Sequence, residues 1–281
     1  MLVSWQQALG LALLLAGIAV LLSAVPAGWA ATTVPWLRES ALVFALYGGW
    51  QEGLILFTDH VRGAVAHGMW VWRVERTLRL LSEASLQREA LHWTWLVRAF
   101  DDYYAIVHVP AAIVCLLWLF WRHRDRYRPV RNAFTWFTLA SLALQAMPVA
   151  PPRLLPATGV IDAARLLGQS VYAPSGLHDY TQLTAMPSVH VGWAVLVALA
   201  VVTASTSRWR WLILAHPLIT IAAVVVTGNH FWLDCIVAAA MVGVVVAGQY
   251  AAHRGGWWSP AQIGRRVTVA SPQSRSPAPT S

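Results

Sequence analysis

The chain has 281 residues, 58% of them hydrophobic and 11% charged, with a mean hydropathy of +0.54. A soluble domain carries charge on about a quarter of its residues, so this composition excludes one and identifies an integral membrane protein. The net charge of +8 rests on 20 basic residues, all arginine and interleaved with apolar runs, which excludes a nucleic-acid-binding face and assigns the charge to membrane topology.

In chain order, apolar runs of about 17 to 22 residues, long enough to cross roughly 30 Å of hydrocarbon, begin near Ala8, Tyr104, Val130, Val189, Trp209 and Trp232. The expected fold is therefore all-α, a polytopic membrane helical bundle of about six core spans with added interfacial amphipathic helices. The first run follows a leader, MLVSWQQ, that lacks positive charge, and it reads as a retained span rather than a secretory signal. A further run, Trp36 to Phe57, carries Arg38, Glu39 and Glu52, and is expected either to span or to lie at an interface.

Residues 1–58 thus form N-terminal membrane segments. Residues 59–102 read as amphipathic interfacial helices: Trp70, Val74, Leu78 and Leu81 recur at helical spacing beside an Arg and Glu face, in which Glu75 and Arg79 stand four apart. Residues 103–254 are expected to form the membrane core. Residues 255–281, rich in Ser, Pro and Arg, are expected to be a disordered cytoplasmic tail. Cys115 and Cys235 fall inside apolar runs, which points to neither a disulfide framework nor a cysteine metal site.

Loop charge sets the orientation. The linker Arg122 to Arg131, the turn Ser207-Arg208-Trp209-Arg210, and Arg254, Arg265 and Arg266 fall on one face, which the positive-inside rule makes cytoplasmic. The words MPVAPPRLLP, MPSVHVGW and TGNHFWLD then meet on the extracytoplasmic face. The cost is that Arg62, Arg73, Arg76, Arg79, Arg88 and Arg98 lie outside as well, where acidic residues offset them. The side of the N-terminus stays open, because it depends on whether Trp36 to Phe57 spans.

Those three words carry the candidate chemistry. His230 and Asp234 stand four apart at the head of a span, a spacing that on a helix lets the carboxylate orient one ring nitrogen and leave the other free as a nucleophile. His190 opens the preceding core span behind Pro187 and Ser188. Ser188 is a candidate N-cap, and a helix N-terminus suits a phosphate. Arg153 adds a forked guanidinium donor. Together these are parts for phosphoryl transfer through a phosphohistidine. His108 and His216, alone in apolar runs, read as satisfied polar groups of the bundle. No H-E-x-x-H word is present, and no metal or cofactor is expected.

These residues resemble the type-2 phosphatidic acid phosphatase superfamily, whose words are K-x6-R-P, P-S-G-H and S-R-x5-H-x3-D. Pro187-Ser188-Val189-His190 is similar to the second word and His230 to Asp234 to the end of the third. Arg128-Pro129 has Trp121 in place of the first word's Lys, and Val224 stands where the third word's Arg would be. These departures, the P-x-A-P-P-R word ending at Arg153, and the segments VWRVERTLRLLSEASLQREAL and DDYYAIVHVPAAIVCLLWLFWR resemble the inositolphosphotransferase branch (aureobasidin-resistance or inositol phosphorylceramide synthase-like) over roughly residues 40 to 250.

The resemblance implies that His230 attacks phosphorus, Asp234 orients it, His190 protonates the leaving oxygen, and Arg153 with Ser188 holds the phosphate beside Asn229 as a further substrate-binding residue. The expected substrate is a lipid phosphate or a phospholipid headgroup in the outer leaflet of the plasma membrane, with water or a hydroxyl acceptor as the second reactant.

A second word, Pro174-Ser175-Gly176-Leu177-His178, spells P-S-G-H more closely but opens no span, so His190 is preferred over His178. The competing classes are a transporter with a His and Asp relay, which would place its titratable groups near the bilayer midplane and show internal repeats, and a silent scaffold, which would tolerate His230→Ala.

Overall fold

The structure is a computed structural model and describes residues 4–56, 63–169 and 182–254. The word around His178 and the tail after Arg254 lie outside the described residues. The described chain is helical, apart from a single bridge between Val149 and Thr184.

Helices α1 (Trp5–Ser23) and α2 (Gly28–Leu56) pack on each other. Ser4 opens α1 with a capping box: its Oγ accepts from Gln7 N–H, and Gln7 Oε1 accepts from Ser4 N–H. The buried positions of α1 are Ala8, Ala12 and Ala19, small side chains that let two apolar helices approach. The run from Trp36 is part of continuous α2, where Glu39 accepts from Arg131 Nη1 at 2.6 and 2.8 Å and from the Tyr127 hydroxyl at 3.0 Å.

An elbow follows, made of α3 (Ala64–Thr77) and α4 (Glu83–Leu91), and then come α5 (Thr94–Ile106), α6 (His108–Arg122) and α7 (Arg124–Gln145). After two 3-10 turns, Pro152–Leu154 and Pro156–Thr158, the chain forms the short α8 (Ala163–Leu166), α9 (Val189–Ala204), a 3-10 stretch Arg208–Leu214 running into α10 (Ala215–Val226), and α11 (Trp232–Arg254). The main core lies among α6, α7, α9, α10 and α11, with Leu119, Phe137, Val191, Val224 and Val225 fully enclosed. Gly192 is required there, since a Cβ on it would fall 1.9 Å from Phe137 Cζ.

Among the described residues, three helices are long and apolar enough to cross a membrane: Trp5–Ser23, Arg208–Val226 and Trp232–Ala252. A fourth arises if α5 and α6, bent by 51°, act as one. The sequence predicts about six, and the two further runs are the helices α7 and α9. Helix α9 has 16 residues, about 24 Å at 1.5 Å per residue, short of a hydrocarbon core of roughly 30 Å. The first two turns of α7 are taken up by Arg124, Arg126, Arg128 and Arg131.

The elbow is amphipathic, and the face it turns to the protein is its polar one. Trp70, Leu78 and Leu81 are exposed, whereas Glu75, Glu83 and Gln87 are buried against the bundle. The expected Glu75 and Arg79 pair along one helix face does not form. Arg79 lies beyond the end of α3 in the left-handed region, φ 55°. Its N–H bonds Arg76 O while Leu80 N–H reaches back to Glu75 O, a Schellman ending that takes Arg79 off the helix surface.

Candidate active site

The site is assembled where α7 and α10 end and α6, α9 and α11 begin. Beyond α7 the chain is pinned on two sides: Val149 N–H donates to Leu183 O at 2.7 Å and Ala150 N–H to Ala64 O at 3.0 Å. Pro152 then starts the 3-10 turn that carries Arg153. Arg153 N–H donates to Gly228 O at 3.1 Å, its Nε to Asn229 Oδ1 at 3.0 Å and its Nη2 to Gln182 Oε1 at 3.3 Å.

The guanidinium, in a residue 7% exposed, is therefore aimed by two amide oxygens from separate loops, a geometry its planar fork can satisfy. Asn229 Nδ2 in turn donates to Thr227 Oγ1 at 2.8 Å. Gly228 allows this contact, with φ +73° and a hypothetical Cβ only 2.6 Å from Val160 Cγ1.

Ser188 caps α9, its Oγ accepting from Val191 N–H, and it is fully buried. Its N–H donates to Asp234 O at 3.3 Å, which ties the start of α9 to the first turn of α11. Ser188 thus enters the site as a helix cap. His190, in the first turn of α9, has its ring stacked on Tyr104 at 4.2 Å between centroids, with His108 at 4.1 Å and His230 at 5.8 Å.

His230 precedes α11, which begins at Trp232, so the helical i,i+4 stack expected for His230 and Asp234 is replaced by a capping turn. Asp234 Oδ2 accepts from Phe231 N–H at 2.8 Å and lies 3.4 Å from His230 Nδ1. The closer partner of Nδ1 is Ala185 O, at 2.7 Å. A carbonyl oxygen only accepts, so Nδ1 carries the proton, and Nε2 of the neutral ring presents a lone pair. Among the described residues, no three His, Cys, Asp or Glu side chains converge on a metal position.

The structure thus brings Arg153, Ser188, His190, Asn229, His230 and Asp234 into one region, with Arg153 linked to His230 through neighbouring Asn229. Sequence reasoning missed several neighbours. His108, satisfied as expected by Tyr104 O at 3.2 Å, also lies against His190, and Tyr104 stacks on the same ring. His216 is satisfied by the Tyr103 hydroxyl.

The elbow also reaches the site from below. Gln87 Nε2 donates to Val226 O and Ile161 O, and its Oε1 accepts from Ile161 N–H. Glu75 Oε1 accepts from Leu233 N–H at 2.7 Å. Burial, and then its hydrogen bond to Glu83, push the Glu75 carboxyl up to about 9. No signal in the amphipathic pattern marks these buried polar residues.

Neither a curated protein nor a solved structure matches the chain. The family model described as the PAP2 superfamily matches residues 69–248, from the elbow through α11. The match takes in Arg153, Ser188, His190, Asn229, His230 and Asp234, and on its extent the chain belongs to the PAP2 superfamily, whose members are typically phosphatases.

Proposed function

We propose that the protein is a membrane lipid phosphatase or phosphotransferase that works through a phosphohistidine. His230 Nε2 attacks phosphorus, and the bond from phosphorus to the leaving oxygen breaks as protonated His190 gives that oxygen its proton. Asp234 and the Ala185 carbonyl hold Nδ1–H and stabilise the positive charge that grows on the ring. Arg153 offsets charge on the non-bridging oxygens. In the second half-reaction His190, now neutral, takes a proton from water or an alcohol, whose oxygen displaces His230 from phosphorus. The observation that carries this reading is the Ala185 contact, which leaves the His230 lone pair on Nε2 with the His190 ring 5.8 Å away.

The same reading places the site at the outer leaflet of the plasma membrane in a bundle of about six crossings, with the shorter helices α7 and α9 completing the count. In its support, the heads of α6 and α9 meet at His108 and His190, so the Arg-rich junction of α6 and α7 lies at the opposite end of the bundle. The P-x-A-P-P-R word ending at Arg153 supports the inositolphosphotransferase branch, in which the acceptor is a hydroxyl.

Purified protein incubated with lipid phosphates and phosphodiesters, with and without alcohol acceptors, is the test. Turnover is expected to fall by about 10²–10⁴-fold in His190→Ala and His230→Ala. An acid-labile phosphoenzyme should be trapped in the wild type and be missing in His230→Ala. Undiminished turnover in both variants would sink the mechanism.

A further inference from the structure

We propose that Glu75 is a positioning residue for phosphoryl transfer: as a neutral acid it caps the first turn of α11 from outside and, through a proton shared with Glu83, locks the α3–α4 elbow onto the His230 to Asp234 turn. This rests on the catalytic reading of His230 and Asp234 given above.

Two sets of contacts carry it. The first turn of α11 has N–H groups with no partner inside the helix. Asp234 takes the one from Phe231, and Glu75 Oε1, 158 residues away in sequence, takes the one from Leu233. The turn that presents His230 is thus held on one side by its own Asp and on the other by the elbow.

The other Glu75 oxygen supplies the second observation. Glu75 Oε2 and Glu83 Oε1 are both buried, and among the described residues neither has a donor. Two facing acceptors without a donor between them is an expensive arrangement in a buried site. One proton on Glu75 Oε2, donated to Glu83 Oε1, satisfies both atoms, while Arg76 Nη2 pairs with the remaining Glu83 oxygen at 3.2 Å.

The groups facing Glu75 are Glu83 from α4 and Asp234 and Cys235 from α11, with Arg76 behind Glu83. No cation among these touches Glu75 itself. Loss of its proton therefore puts charge on Glu75 between two other carboxyl groups and removes the hydrogen bond to Glu83, so that repulsion loosens the elbow although the Leu233 N–H favours the carboxylate. The 9 given above for the Glu75 carboxyl places that event on the alkaline side of neutrality.

The test compares pH profiles of turnover for wild type, Glu75→Ala, Glu75→Gln and His230→Ala, with a lipid phosphate that the wild type turns over as the probe. Glutamine keeps an acceptor for Leu233 N–H and a donor for Glu83 but has no proton to lose. The expected results are an alkaline fall near pH 9 in the wild type, and a fall in kcat of about 10²-fold with little change in KM in Glu75→Ala. Glu75→Gln is expected to restore kcat at neutral pH to within a few-fold and to lack the alkaline fall.

Full turnover in Glu75→Ala, a loss in Glu75→Gln as large as in Glu75→Ala, or an unchanged alkaline fall in Glu75→Gln would each overturn the proposal. If the Ala variant does not fold, the Gln profile decides. An active His230→Ala would instead unseat the phosphohistidine reading, whereas a dead His230→Ala beside a normal Glu75→Ala unseats only the positioning role.

Discussion

The cleft and the elbow solve the problem of polar groups in an apolar setting in opposite ways. In the cleft, polar side chains sit at helix ends and are aimed by neighbouring backbone and amide groups: His230 by Ala185 O, Arg153 by Asn229 and Gln182. In the elbow, polar side chains lie along helix faces and turn inward to serve backbone groups of the cleft: Gln87 on Val226 and Ile161, Glu75 on Leu233. Its Trp and Leu side chains point outward, as suits a helix lying at a lipid surface. A polar stripe on a membrane-bound helix therefore need not be its solvated side.

The comparison yields tests on both regions. Of the further substitutions that probe this comparison, Arg153→Lys on the cleft side is expected to have the largest effect. An ammonium cannot meet Asn229 Oδ1 and Gln182 Oε1 with a rigid fork and still face a phosphate, so kcat/KM should fall by about 10–10²-fold while thermal stability changes little. An equal loss of activity and of stability would show that Arg153 is structural.

On the elbow side, Gln87→Leu leaves Val226 O, Ile161 O and Ile161 N–H without their partner. Each buried orphan costs about 1–3 kcal/mol, so the thermal midpoint in detergent should drop clearly. An unchanged midpoint would mean that the elbow does not support the cleft.

A smaller effect tests the elbow's buried carboxyl. Glu75 ionises at about 9 in the folded protein against an ordinary 4.5, so the native state holds this proton more tightly than the unfolded chain does. Its contribution is most favourable below pH 4.5 and is lost progressively as pH rises towards 9. Glu75→Gln has no such slope, and its thermal midpoint relative to wild type should rise steadily between pH 5 and pH 9. A constant difference would remove the buried proton.

The smallest effect is expected from Arg79→Gly. A left-handed residue with a side chain costs about 1–2 kcal/mol, and glycine suits the end of α3. A gain of about 1 kcal/mol with unchanged activity is expected, measured by denaturant unfolding. A loss would show that the Arg79 side chain has a use elsewhere.

Much of the cleft was legible because its chemistry is local in sequence. Pro187-Ser188-Val189-His190 is a cap followed by a helix, and His230 to Asp234 is a capping turn, so short-range geometry brings their groups together wherever the bundle places them. The P-P-R word was legible for the same reason, as Pro152 starts the turn that carries Arg153. The Ala185 carbonyl was not legible, since any residue supplies one. His108 is satisfied within the bundle by Tyr104 O at 3.2 Å, but its place beside His190 was not legible, because a lone polar residue on an apolar helix looks the same whichever ring it neighbours. Glu75 was misread because amphipathic spacing reports that two faces differ, but not which one meets the protein.

The sequence by itself determined that the chain is helical and membrane-bound, and that the Pro187 to His190, His230 to Asp234 and Pro152-Arg153 words stand at helix ends, because composition, run length and capping are properties of a few adjacent residues. Only the tertiary structure decided which way the elbow turns, which oxygen holds Nδ1 of His230, and that Glu75 and Glu83 meet beneath α11. Those outcomes depend on contacts between residues as far apart as Glu75 and Leu233, and at that separation the burial of one partner is set by the packing of the other.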